Sequence, residues 1–288
     1  MSCWQSRCLG RLCTSEGGAE REPSLPEAHE LDRYFADVDF LVPEDPRSSQ
    51  YMVAMHQAFY RWAGPLVEGC KVVDAGCGEG FGANILTETA ETVIGIDIKP
   101  GLLRHARHRY PKATLQFGVM DCTALSFPAG CIGAIVCNEL IEHLPEHQPF
   151  LQEAHRVLAV GGRFICATTN AETSFKKTDG SPLNRNHFRE FTGEGLLAAL
   201  SPYFGRIEHH CQLPNVAYRA YAFNPASRWI ERILMTLKLK HRIPTAWRSR
   251  VRETLTGVQV EQIVNDGFNI VAGSDDQALY AIAVATKT

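Results

Sequence analysis

The stretch "VVDAGCGEGFG", Val72 to Gly82, constrains this chain more than any other. An apolar run ends in an acid, glycines follow at positions 76, 78 and 80, and an apolar helical pattern begins directly afterwards. Without a Cβ, these glycines let the backbone turn tightly and come close to a ligand. A strand, a glycine loop and a helix in this order belong to a parallel sheet, whose strands need crossover helices. "GEGFGA" also fits the dinucleotide pattern G-x-G-x-x-A, so the loop by itself leaves the ligand open.

The sequence on either side repeats the unit. The patterning predicts a helix over 48–62, then strands at 70–75, 92–97, 113–119, 131–137 and 163–168, with helices at 81–89, 101–109 and 148–158. Each strand reads as a short apolar run, as expected when helices cover both faces of a sheet. The expected fold is α/β: a doubly wound, mostly parallel, Rossmann-like sheet of seven strands. Further on, 194–200 reads as a helix and 206–212 and 278–286 as strands, with a helical insertion before the last strand. Asn224 and Pro225 start a helix whose Trp229, Ile230, Ile233, Leu234 and Leu237 line one face. The expected organisation is a disordered leader over 1–30, a helical segment over 31–69 and a ligand-binding core over 70–212. A helical lid or acceptor insertion over 213–275 and a final core strand over 276–288 complete it.

Three acids follow the strand ends. Asp74 precedes the first glycine, where a carboxylate suits a positively charged ligand better than a pyrophosphate. Asp97 ends the second strand and can accept both hydroxyls of a ribose. Asp121, in "VMDC", can accept from an adenine amino group. Helix and turn capping is the competing role for Asp97 and Asp121.

Taken together, "VVDAGCGEGFG", "VIGIDIK", "GVMDCTALSFP", "IVCNELIEHL" and "RVLAVGGRFICATTN" resemble, in order and spacing, the class I S-adenosylmethionine-dependent methyltransferases, of the type 11, ubiquinone O-methyltransferase-like group. The resemblance covers about residues 70–212 and the final strand, and it implies that this last strand is antiparallel. It implies S-adenosyl-L-methionine as the cofactor, with Gly76 and Gly78 beside the methionine moiety, Asp97 on the ribose and Met120 with Asp121 on the adenine. Asp74, Ile98 and Asn138 complete the implied cofactor set.

"NELIEHLPEH", Asn138 to His147, brings Glu139, Glu142 and His143 onto one face of a helical turn, which Pro145 keeps short. His187, in "NRNHFREFT", falls in a polar loop after the fifth strand. Three roles compete. The acids cap or stay solvated and the histidines are incidental; or His143 is a general base for an acceptor hydroxyl; or Glu139, Glu142, His143 and His187 hold a divalent cation, Mg, Mn, Fe, Co or Zn. The E-x-x-E-H pattern with a later His is similar to the ubiquinone-pathway catechol O-methyltransferases and the small-RNA 3′-terminal 2′-O-methyltransferases, which implies a metal-chelated vicinal diol. "NHFREFT" resembles methyltransferases encoded among bacterial cell-surface sugar genes. A small-molecule, sugar or lipid-linked acceptor fits these resemblances. Nucleic acid is disfavoured by a net charge of −3 and the lack of an RNA-binding module.

The run "KLKHRIPTAWRSRVR", Lys238 to Arg252, follows an amphipathic helix and offers a membrane-surface contact or solvated lid cations. The ten cysteines are scattered, several inside apolar runs, and read as reduced thiols of a cytoplasmic protein. Cys3, Cys8 and Cys13 lack the partners of a metal set. A nicotinamide-dependent oxidoreductase is the alternative enzyme, and a non-catalytic S-adenosylmethionine-binding regulator the alternative without turnover. The sequence carries no signal of oligomeric state.

Overall fold

The computed structural model describes residues 41–43, 45, 48–177, 179–236 and 243–288. The leader over 1–30, with Cys3, Cys8 and Cys13, and the residues from Lys238 to Arg242 lie outside them. Helix α1 spans Gln50–Ala63 and buries Val53, Met55, Phe59, Tyr60 and Ala63. It passes into a 3-10 turn at Gly64–Val67, where Pro65 removes a backbone donor. The core then alternates as expected: β1 (Lys71–Ala75), α2 (Phe81–Leu86), β2 (Thr92–Asp97), α3 (Pro100–Arg109), β3 (Leu115–Val119), β4 (Ile132–Asn138), α4 (Gln148–Val157) and β5 (Leu158–Thr169). Next come α5 (Gly193–Leu200), β6 (Arg206–Leu213), α6 (Val216–Ala222), α7 (Pro225–Thr236), α8 (Thr245–Thr256), α9 (Val260–Asp266), β7 (Asn269–Ala272) and β8 (Tyr280–Thr286).

The strands form one sheet in the order β3-β2-β1-β4-β5-β8-β6-β7. The pairs from β3 to β5 are all parallel, whereas β8 runs antiparallel between β5 and β6. The expected seven strands are therefore eight. The added strand β7 pairs antiparallel with β6 at the sheet edge. It has only four residues, one polar and then three apolar, and is mostly exposed, so neither length nor alternation marks it in the sequence. It also places a strand inside the segment expected to be wholly helical.

Alternate residues of each strand face opposite sides of the sheet, which produces two cores. Val72, Val93, Ala134, Val136 and Ile165 pack with α1, α2 and α3 on one face. Val73, Ile94, Ile135, Phe164 and Cys166 pack with α4 and α5 on the other. Each fully buried Leu, Ile or Phe contributes about 1.5–3 kcal/mol relative to exposure. The described cysteines are all free thiols, five of them (Cys77, Cys122, Cys137, Cys166 and Cys211) buried as small apolar groups. On α7, Leu234 is buried and Ile230 and Ile233 half-buried, but Trp229 is 66% exposed, so the expected apolar face is narrower than its sequence pattern. Leu237 lies outside the described residues. Among the described residues no helix is long and apolar enough to cross a membrane.

Candidate functional site

The strand order reverses between β1 and β4, and a crevice must open there beyond the carboxyl ends of the strands. A cavity of about 1100 Å³ occupies this place. Residues at the ends of five strands reach it: Gly76 after β1, Asp97 in β2, Met120 after β3, Asn138 in β4 and Thr169 in β5.

At one end the glycine loop supplies backbone. Gly76, Gly78 and Gly80 have φ of +70°, +57° and +91°, a region that side chains rarely enter. A Cβ on Gly80 would lie 2.7 Å from the Phe117 ring. Asp97 ties this loop to β2: its Oδ2 accepts from the Gly78 N–H at 3.1 Å and its Oδ1 from the Lys99 N–H at 2.9 Å. Capping and ligand binding are thus compatible roles, since each carboxylate oxygen retains a lone pair. Met120 is buried at the cavity wall, Ile98 lines it while 65% exposed, and Asp121 lines it with its Oδ1 accepting from the N–H and hydroxyl of Thr123. Asn138 is buried on the same wall, and its amide nitrogen and oxygen both lack a hydrogen-bond partner. Buried amides are ordinarily satisfied, so this one is free to receive a ligand's polar atoms.

Asp74 sits elsewhere than the sequence led us to expect. It lies fully buried beneath the loop rather than on the cavity wall, and its Oδ1 accepts from the Tyr60 hydroxyl at 3.1 Å. Burial pushes its carboxyl up to about 8, the Tyr60 bond opposing and Asp97 reinforcing the shift. A cation brought against the loop would lower it again.

At the other end stands the turn "LIEH". Glu139 holds φ +54°, a positive value for a residue with a side chain. Its Oε1 accepts from the Thr169 hydroxyl at 2.7 Å, and burial together with Glu142 raises its carboxyl to about 8. Glu142 is fully buried, lies off the cavity, and accepts from the Thr169 N–H at 3.2 Å; burial raises its carboxyl too. His143 lines the cavity with Nδ1 2.9 Å from the Asn186 carbonyl oxygen. A carbonyl only accepts, so Nδ1 carries the proton and the neutral ring keeps its lone pair on Nε2. The His187 ring meets His143 edge-on at 4.8 Å.

The four expected metal ligands do not assemble. His187 Nδ1 is 2.9 Å from Glu190 Oε1, and its Nε2 is 3.0 Å from the Asn184 amide nitrogen. With Asn184 donating, Nε2 accepts and Nδ1 donates, so this ring has no lone pair left to coordinate. Glu142 lies buried behind Glu139 and Thr169, which line the cavity in its place. Among the described residues no group of three or more His, Cys, Asp or Glu side chains is placed to hold a metal ion. In sequence the turn places three donors on one face; in the fold a 3-10 turn at Ile141–His143 rotates Glu142 inward.

Sequence reasoning missed several residues here. The Tyr280 hydroxyl lies 2.8 Å from His56 Nε2, and burial lowers His56 to about 4, keeping the ring neutral. Burial, then Glu139 and Glu142, raise the Tyr280 phenol well above its usual range. Glu190 binds Lys176, Ser174 and His187; burial would raise its carboxyl, but these bonds hold it below the ordinary value. Only the helical spacing of His56 and the strand pattern around Tyr280 are visible in the sequence. Their meeting across 224 positions is not.

The switch-point cavity, the glycine cradle, the acid at the end of β2 and the antiparallel β8 define the chain's core as a class I, S-adenosylmethionine-dependent methyltransferase fold. Residues 73–166 match the family model described as a methyltransferase domain, and this segment is such a domain. A Mycolicibacterium smegmatis protein named as a probable S-adenosylmethionine-dependent methyltransferase is 34% identical over 150 residues, 52% of this chain and 57% of that one. A Xanthomonas oryzae ubiquinone biosynthesis O-methyltransferase is 29% identical over 107 residues, 35% of this chain and 44% of that one. The chain thus spans about half the length of the curated relatives it matches. A crystal structure of a Thermotoga maritima SAM-dependent methyltransferase shares the fold with a TM-score of 0.55 at 16% identity, covering 83% of this chain and 94% of that one.

Proposed function

We propose that this chain is an S-adenosylmethionine-dependent methyltransferase that methylates an oxygen of a small-molecule or glycan-like acceptor, with His143 as the general base. The observation that carries this reading is one continuous cavity with Asp97 and the unpartnered Asn138 amide on its walls together with His143. Asp97 holds ribose hydroxyls while it braces the glycine loop. Asn138 supplies a donor and an acceptor to a polar group of the cofactor, and Met120, Ile98 and Leu102 give the adenine an apolar slot. When bound, the cofactor supplies an electrophilic methyl group on a positively charged sulfur. His143 takes the acceptor's hydroxyl proton at Nε2, while the Asn186 carbonyl stabilises the charged ring through Nδ1. Segments α6 and α7, whose Tyr218, Ala222, Phe223 and Arg228 line the cavity, act as a lid that limits water. The similarity to the Xanthomonas O-methyltransferase supports oxygen as the accepting atom.

The test is methyl transfer from labelled S-adenosylmethionine to a panel of phenols, catechols and sugars. Turnover should rise with pH along a single-base profile, and His143→Ala should remove that profile. Turnover in His143→Ala with the profile intact would assign the base elsewhere.

A further inference from the structure

We infer that Arg228 is the acceptor-recognition residue of this cavity, and that the acceptor is an amphiphile whose apolar body carries an oxyanion, a carboxylate or a phosphate ester. The inference rests on the methyltransferase reading above and specifies its acceptor. Arg228 stands in the first turn of α7 and reaches the cavity from the lid side. Its guanidinium carbon lies 5.2 Å from the Phe175 ring centroid and 5.7 Å from that of Phe223. Phe175 comes from the loop after β5 and Phe223 from the end of α6, so two separate segments grip one cation. Stacking of this kind fixes the guanidinium plane and leaves its N–H edges directed outward.

No ion pair joins Arg228 to a carboxylate among the described residues. The nearby acid Glu190 is already engaged by Lys176, Ser174 and His187. A second cation, Arg185, lines the same cavity and is exposed, while Glu146 is the exposed acid on the His143 wall. Met52, Tyr218, Ala222 and Leu279 add apolar surface to the same cavity, beside the polar Thr173, Ser174 and Asn184. A planar, pre-ordered five-donor cation beside apolar surface matches a bidentate oxyanion attached to an apolar group. A neutral sugar would leave that fork without a charged partner.

The experiment uses the full chain saturated with S-adenosylhomocysteine and titrated by calorimetry with phenyl phosphate, benzoate and the neutral isostere benzamide. At least one anion should bind about tenfold or more tighter than benzamide, the scale of a charge-assisted pair. Arg228→Gln should erase that preference while S-adenosylhomocysteine affinity stays unchanged, and Arg228→Lys should restore only part of it. Tighter phenyl phosphate would assign a phosphate ester, and tighter benzoate a carboxylate. Equal affinity for the anions and benzamide, no anion binding at millimolar concentration, or an unchanged preference in Arg228→Gln would overturn the inference. Failure of wild type to bind S-adenosylhomocysteine would instead bring down the methyltransferase reading itself.

Discussion

The two ends of the cavity are built differently. The cofactor end is made by backbone: glycine φ angles, strand termini, and a carboxylate that ties neighbouring loops together. Its parts lie between Gly76 and Asn138 and follow one another along the chain. The end we propose for the acceptor is lined by side chains from α1, the loop after β5, α6, α7 and β8, segments far apart in the sequence. A binding site for a constant ligand can be assembled from local geometry, whereas one that selects among ligands draws on distant segments.

The largest expected effect on cofactor binding breaks the backbone end. Asp97→Ala removes the proposed ribose acceptor and the anchor of the Gly78 N–H together, and should weaken S-adenosylhomocysteine binding by about 10–100-fold, the scale of charged hydrogen bonds. Calorimetry would read this, and unchanged affinity would remove Asp97 from the site. His143→Ala breaks the side-chain end: turnover should fall by about 10²–10⁴-fold, the range for a general base, with cofactor affinity preserved. A joint loss of binding and turnover would show that the two ends are not separable.

These expectations follow the line between what the sequence made legible and what it did not. The strands and the glycine loop were readable because each depends on a short-range pattern, and Asp97, Met120 and Asn138 fall at strand ends that line the cavity. The expected metal set does not assemble because i, i+3, i+4 spacing on an ideal helical turn puts Glu139, Glu142 and His143 on one face, whereas Glu142 lies buried off the cavity and His187 is engaged by Glu190 and Asn184. Arg228 carried no signal, since its meaning comes from Phe175 and Phe223. Strand β7 was too short to announce itself.

A smaller effect sharpens the contrast through packing. Gly82 faces α1 so closely that an added Cβ would come 2.1 Å from the Tyr60 ring. Gly82→Ala should therefore destabilise the fold by about 1–3 kcal/mol, as overpacking does, measured by urea denaturation. The smallest expected effect concerns pH. Because burial raises the Asp74 carboxyl to about 8, the folded chain holds this proton more tightly than the unfolded chain. The contribution is fully present below the ordinary aspartate range and is lost as pH rises toward about 8. Asp74→Asn keeps an acceptor for Tyr60 and should flatten the decline in thermal stability between the ordinary aspartate range and about 8. A decline of the same slope in the variant would place the titrating group elsewhere.

The most direct test of the two-ended cavity is a calorimetric titration of S-adenosylhomocysteine into wild type, Asp97→Ala and His143→Ala. The account predicts one site per chain in wild type, severe weakening in Asp97→Ala and near-wild-type affinity in His143→Ala. No binding to wild type, or equal binding to all three without loss in Asp97→Ala, would contradict it.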